Sequence, residues 1–82
     1  MRQTKKQRLL VIEAIKEAAD NVGGQLKLAK KLGCKSQGAI SYMIKVGEVP
    51  PYQVLPMEKV GRVSRHRLSP VIYPRDGGYE SA

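Results

Sequence analysis

The sequence predicts an all-α fold, a single small domain of four to five helices over residues 1–74 with an extended C-terminal segment. Three observations favour this fold. Apolar residues recur every three or four positions, which is the spacing of one face of a helix. Glycines follow several of these stretches, where helices commonly end. A chain of 82 residues is also long enough for one core and too short for two.

The first helix is predicted from Thr4 to about Asp20. Its inward face is expected to carry the apolar residues spaced by three or four, namely Leu9, Ile12, Ile15, Ala19 and Val22. Gly23 and Gly24 are expected to end it. Cations crowd its start at Arg2, Lys5, Lys6 and Arg8. Because cations there oppose the helix dipole, the first turn is expected to fray or to serve a purpose other than stability.

Two short helices are predicted next, at Gln25–Leu32 and Ser36–Val46, with a tight turn at Gly33 between them. The Ser36 hydroxyl is expected to cap the second of the pair. Their inward residues are predicted to be Leu28, Ala29, Leu32, Ile40, Met43 and Ile44, with Leu26 partly inward.

All five prolines of the chain lie after Gly47. A fourth helix is predicted from Pro51 to about Val60, and Pro56 is expected to bend it or to delay its start to near Leu55. The remaining predictions are a helical turn over Ser64–Leu68, an extended segment over Ser69–Pro74 and a disordered tail over residues 75–82. Val63, Val71, Ile72 and Tyr73 are expected either to pack on the domain or to form a dimer contact.

Composition narrows the possible functions. Fifteen Lys and Arg against seven Asp and Glu give a net charge of +8, which favours polyanionic partners. Single residues at Cys34 and His66 are too few for a zinc site or an intrachain disulfide. No apolar run has the ~20 residues needed to span a bilayer. With no paired carboxylates and no phosphate-binding glycine loop, we expect a cytoplasmic protein that is not an enzyme and needs no cofactor.

The two short helices match a helix-turn-helix pattern. Ala29 is small where the helices would cross, and Gly33 permits the turn. Five lysines and no acidic residue lie between Asn21 and Gly47, so the pair would offer a basic surface to DNA.

Four blocks of the chain occur in an order typical of one family: GGQLKLAKKLG (Gly23–Gly33), SQGAIS (Ser36–Ser41), VPP (Val49–Pro51) and RHRLSPVIYP (Arg65–Pro74). With them, the chain resembles the small Cro-type repressors of temperate phages and their prophage relatives, the YdaS-type antitoxin family. The resemblance implies a lambda-repressor-like domain that binds operator half-sites as a homodimer and represses transcription in a phage lysis–lysogeny switch. The chain departs from the family in three ways: a turn one residue longer at Cys34-Lys35, a proline inside the fourth helix, and a longer and more basic first helix.

The resemblance also implies roles for individual residues. The predicted base-contacting residues are Gln37, Gly38, Ser41 and Tyr42. The predicted phosphate-contacting residues are Gln25, Lys27, Lys30, Lys31, Lys35, Ser36 and Lys45. Gln37 suits its role because an amide can pair with the N6 and N7 edge of adenine in the major groove. The expected partner is a double-stranded operator in the nucleoid of a bacterial host, with no membrane and no small-molecule ligand.

Two alternatives from other classes stay open. An antitoxin-type protein-interaction module would need a neutralising segment, and the stretch after Pro74 looks too short for one. A basic RNA-binding accessory protein would be expected to carry more aromatic residues than the four tyrosines present. A second cationic cluster, at Arg62, Arg65 and Arg67, is expected either to touch flanking DNA backbone or to keep the chain soluble.

Overall fold

Five α-helices and no strand lie between residues 3 and 73, the part of the chain that the computed structural model describes. They are α1 (Lys5–Val22), α2 (Gln25–Lys31), α3 (Gly38–Val46), α4 (Pro51–Gly61) and α5 (Arg65–Leu68). The predicted all-α fold is therefore confirmed. The tail predicted for residues 75–82 lies outside the described residues.

Helix α1 is central, and the other four helices pack around it. Its buried residues are Val11, Ala14, Ile15, Ala18 and Ala19. The predicted inward face was therefore wrong in part. Ile15 and Ala19 are buried as expected, but Leu9 is 55% exposed.

The face of α1 is decided by close approach between helices. A Cβ atom added to Gly61 of α4 would lie only 2.5 Å from the Cβ atom of Ala18. Small residues are needed where two backbones come this near, so alanines share the buried face with Val11 and Ile15. Periodicity weighted by hydrophobicity left out Ala18 because it cannot register this contact.

The first turn of α1 is well capped. The Thr4 hydroxyl accepts a hydrogen bond from the Gln7 amide nitrogen at 3.1 Å, and the Gln7 side-chain oxygen accepts one from the Thr4 amide nitrogen at 2.8 Å. This reciprocal pair is a capping box, which satisfies two free backbone donors. The Gln3 side chain also donates to the Gly47 carbonyl oxygen at 2.7 Å. The expectation that this turn frays was thus wrong.

Glycines end the first two helices in the same manner. Gly23 and Gly33 both have positive φ, at 98° and 79°. After each glycine, the next amide reaches back to a helix carbonyl: Gly24 donates to Ala19 at 2.7 Å and Cys34 donates to Ala29 at 2.9 Å. Two successive turns are therefore fixed by this backbone pattern, as the sequence predicted.

The predicted bounds of α3 and α4 need two corrections. Helix α3 begins at Gly38, two residues later than predicted, although the Ser36 hydroxyl still accepts from the Gly38 amide at 3.3 Å. Helix α4 begins at Pro51 and runs through Pro56 to Gly61, so the late start near Leu55 was wrong. Pro51 needs no amide hydrogen in the first turn. Pro56 removes one hydrogen bond inside the helix, on a side where Tyr52 and Pro56 are both exposed.

The C-terminal part of the described chain folds back on the helices. Helix α5 confirms the predicted turn, with the Ser64 hydroxyl accepting from the His66 amide at 3.1 Å. The segment after it is not extended as predicted. It turns, because the Tyr73 amide donates to the Ser69 carbonyl at 2.8 Å and the His66 Nδ1 atom lies 2.9 Å from the Tyr73 carbonyl oxygen.

One core serves all five helices. Its fully buried members outside α1 include Leu28, Ile40, Val54, Met57, Val63 and Leu68. Val63 and Tyr73 pack on the domain, whereas Ile72 is exposed. Leu26 is 48% exposed and does not point inward as predicted. Among residues 3–73, none of the helices has the length and apolar character to cross a bilayer.

Candidate nucleic-acid interface

Helices α2 and α3 form a helix-turn-helix unit seated on α1. Leu28 and Ala29 of α2 and Ile40 and Met43 of α3 are all buried in the common core. Ala29 is 1% exposed, which fits the predicted need for a small residue where the helices cross. Burial of these inner faces leaves the outer face of α3 directed to solvent.

The turn between the two helices is held from both sides. Gly33 closes α2, and Cys34 packs half-buried against the core. The Gln53 side chain of α4 is buried and donates to the Cys34 sulfur at 3.8 Å. Cys34 therefore behaves mainly as a small apolar residue in the turn.

A side-chain hydrogen bond joins the start of α2 to the outer face of α3. The Ser41 hydroxyl donates to the Gln25 side-chain oxygen at 3.0 Å. The side-chain nitrogen of Gln25, Nε2, makes no hydrogen bond within residues 3–73, so it remains able to donate one to a phosphate. Two residues with different predicted roles are thus brought together.

The start of α3 is open to a ligand. Ser36, Gln37 and Gly38 are all exposed. Gln37 occupies the N-cap position without using its side chain to cap the helix. A Cβ atom at Gly38 would meet only the Ser36 hydroxyl, at 3.3 Å, so no helix of the domain packs closely on this glycine.

Tyr42 and Lys45 lie one helical turn apart on the outer face of α3. Tyr42 is 64% exposed, and Lys45 is also exposed. A tyrosine so exposed contributes little to the core, which removes the simplest packing explanation for it. The face that includes Gln37, Ser41 and Tyr42 is therefore free to contact a ligand.

The predicted lysines do not all lie beside α3. Lys27 lies over the α1–α2 turn, where a Cβ atom at Gly23 would be 3.3 Å from the Lys27 Nζ atom. Lys31 lines a cavity with Val60 and Arg62, toward the end of α4. Lys30 and Lys35 are exposed. The basic surface thus extends around α2 and is not confined to the α3 face.

A groove of about 490 Å³ runs beside the C-terminal end of α3. Its charged and aromatic lining residues are Arg8, Tyr42, Lys45 and Glu48, and its floor includes Val49 and Pro50. Arg8 comes from the first turns of α1. We call this space the Arg8 groove.

Arg8 is the residue at this site that the sequence analysis did not predict. The cluster of N-terminal cations to which Arg8 belongs is evident in the sequence. No nearby residue, however, indicates that the start of α1 lies against the end of α3. The contact depends on Gly47, because a Cβ atom there would be 3.0 Å from the Arg8 Cβ atom.

Two of the three arginines in the second cationic cluster form ion pairs within the domain. The Arg67 Nη1 atom lies 2.9 Å from Glu17 of α1. Arg65 pairs with Glu58 at 3.3 Å and lies over the Tyr73 ring, 5.6 Å from its centroid. Arg62 is exposed and ends α4 with a positive φ of 56°. Two of the three arginines thus tie α5 to its neighbours.

Comparison with known proteins gives one match. A family model described as the bacterial toxin YdaS matches residues 15–76, which covers most of the described chain. No curated protein matches. No solved structure matches either.

Proposed function

The chain belongs to the YdaS family, and we propose that it is a sequence-specific DNA-binding repressor of the Cro type, acting as a homodimer. In this proposal α3 enters the major groove of an operator half-site. Gln37, Gly38, Ser41 and Tyr42 would meet base edges, and Gln25 with the lysines of α2 and the turn would meet phosphates.

One observation carries the proposal: α3 buries its apolar face and exposes its polar one, in a basic and acid-free stretch of chain. None of the five lysines between Asn21 and Gly47 forms an ion pair within the described part of the chain. Such cations can replace the counterions of a phosphate backbone at little cost to the fold.

Repression would follow from occupying promoter DNA, and no catalytic step or cofactor is required. A dimer would place two α3 helices on successive major grooves, about 34–36 Å apart along the duplex. Cytoplasmic location, in contact with the nucleoid of a bacterial host, is part of the same proposal.

The salt response of binding tests the proposal directly. The affinity for an operator-length duplex should fall steeply with salt, with a slope of about 0.9 in log–log units for each phosphate neutralised. A footprint on the DNA flanking the protein's own gene would supply the operator. A flat salt response would remove the DNA-binding proposal, and preference for single-stranded RNA in a competition assay would favour the RNA-binding alternative.

The family description favours a second candidate. It names a toxin, whereas the sequence resemblance was to an antitoxin type. The same α3 face would act as a toxin by occupying DNA that a host cell needs. Induced expression should then slow bacterial growth with the natural sequence and not with Gln37→Ala. Equal inhibition by both would place toxicity outside α3.

A further inference from the structure

We propose that the Arg8 groove is a phosphate-binding site for the DNA backbone beside the bases that α3 reads. The ligand is one phosphodiester of duplex DNA, held chiefly by Arg8 and Lys45. The inference rests on the proposed function and extends it to α1, a helix to which that proposal assigns no contact.

The start of α1 packs on the end of α3 and is hydrogen-bonded to it. The Gln3 side chain donates to the Gly47 carbonyl oxygen, and the Arg8 stem lies directly on Gly47, which is buried and has a φ of 71°. The capping box of Thr4 and Gln7 holds the same turn in helical form. The backbone and the first side-chain carbons of Arg8 are therefore held in place, so little backbone freedom is lost when it binds an anion.

The charge in the groove suits one monoanionic group. Arg8 and Lys45 contribute two positive charges and Glu48 one negative charge to its lining. No ion pair within 4.0 Å joins Arg8 to any acidic group in residues 3–73. The guanidinium group is thus available for the paired hydrogen bonds that it makes with phosphate oxygens.

The position of the groove links it to the proposed reading face. Tyr42 and Lys45 line the groove and also belong to the exposed side of α3. A duplex that receives α3 in its major groove must pass its backbone along one end of that helix. The groove lies at the C-terminal end of α3, so Arg8 would meet the strand whose backbone passes that end.

The test uses the full chain and the duplex identified by footprinting. Arg8→Gln keeps the Cβ and Cγ atoms that lie on Gly47 and removes the charge. We expect its affinity to fall about three- to tenfold on specific and random duplex alike, and its salt slope to fall by about 0.9. Arg8→Lys keeps the charge and should show most of the salt slope that Arg8→Gln loses. Lys59→Gln, on α4 and outside the groove, is the control and should match the natural sequence within about twofold.

A second variant keeps the inference testable if Arg8→Gln does not fold, which thermal melting will reveal. Glu48→Gln removes the carboxylate that faces the same phosphate and should bind duplex about two- to fivefold more tightly. Weaker binding by Glu48→Gln, or an unchanged affinity and slope in folded Arg8→Gln, would overturn the inference while leaving the reading by α3 intact. Failure of the natural sequence to bind any duplex would instead overturn the proposed function.

Discussion

Two basic regions of this protein differ in where their opposite charges lie. The arginines of α5 face carboxylates on other helices, with Arg67 against Glu17 and Arg65 against Glu58. The lysines of α2, α3 and the turn between them have no such partners among residues 3–73. The first region uses cations to join helices, and the second leaves them for an outside partner. Net charge alone does not distinguish these two uses.

The largest expected effect concerns the α5 region. Leu68 is fully buried, so Leu68→Ala should lower the free energy of unfolding by about 2–5 kcal/mol, through lost burial and a residual cavity. Urea unfolding measures this. Leu55→Ala, in which the leucine is half-exposed on α4, is the matched control and should cost much less. If Leu68→Ala protein that remains folded shows a smaller salt dependence of its DNA affinity, α5 is part of the DNA interface. The comparison between the two basic regions then fails.

A smaller effect is expected on the reading face. Gln37→Ala should cost about 1–3 kcal/mol of binding free energy on the preferred site and much less on random duplex. The reason is that only the hydrogen bonds from the side-chain amide to the base edge are lost. Gln37 makes no capping bond with its side chain, so the free energy of unfolding should stay the same. Equal losses on both duplexes, measured by fluorescence anisotropy, would show that Gln37 does not read bases.

The smallest effects separate the two uses of charge most sharply. Lys35→Gln and Arg67→Gln remove the same charge from the two regions. Lys35→Gln should lower the salt slope by about 0.9 and leave unfolding unchanged. Arg67→Gln should lower the free energy of unfolding by about 0.2–1 kcal/mol, since its ion pair is partly exposed, and leave the slope unchanged. The reverse pattern would mean that the two regions have been assigned the wrong way round.

Much of the helix pattern was predictable because it is local. Gly23 and Gly33 supply the left-handed residue that each helix end requires, and Ser64 supplies a hydroxyl at the start of α5. These features depend on neighbours within a few residues. The candidate base-contacting residues, which the family resemblance implied, are all exposed, and their roles stay predictions.

Contacts distant in sequence decided the rest. The approach of Gly61 to Ala18 sets part of the inward face of α1. The turn after α5 is instead a short-range feature that the sequence analysis missed, because its bonds join Ser69, His66 and Tyr73. Arg8 joins the candidate site only because Gly47 admits its stem.

The sequence by itself determined that this protein is a small, basic, all-helical domain with a helix-turn-helix, because helix spacing, glycine ends and charge are properties of short stretches. Only the tertiary structure decided which cations are joined to carboxylates and which remain exposed. Whether a cation has a carboxylate partner depends on which helices contact each other, and the packing of the common core determines those contacts.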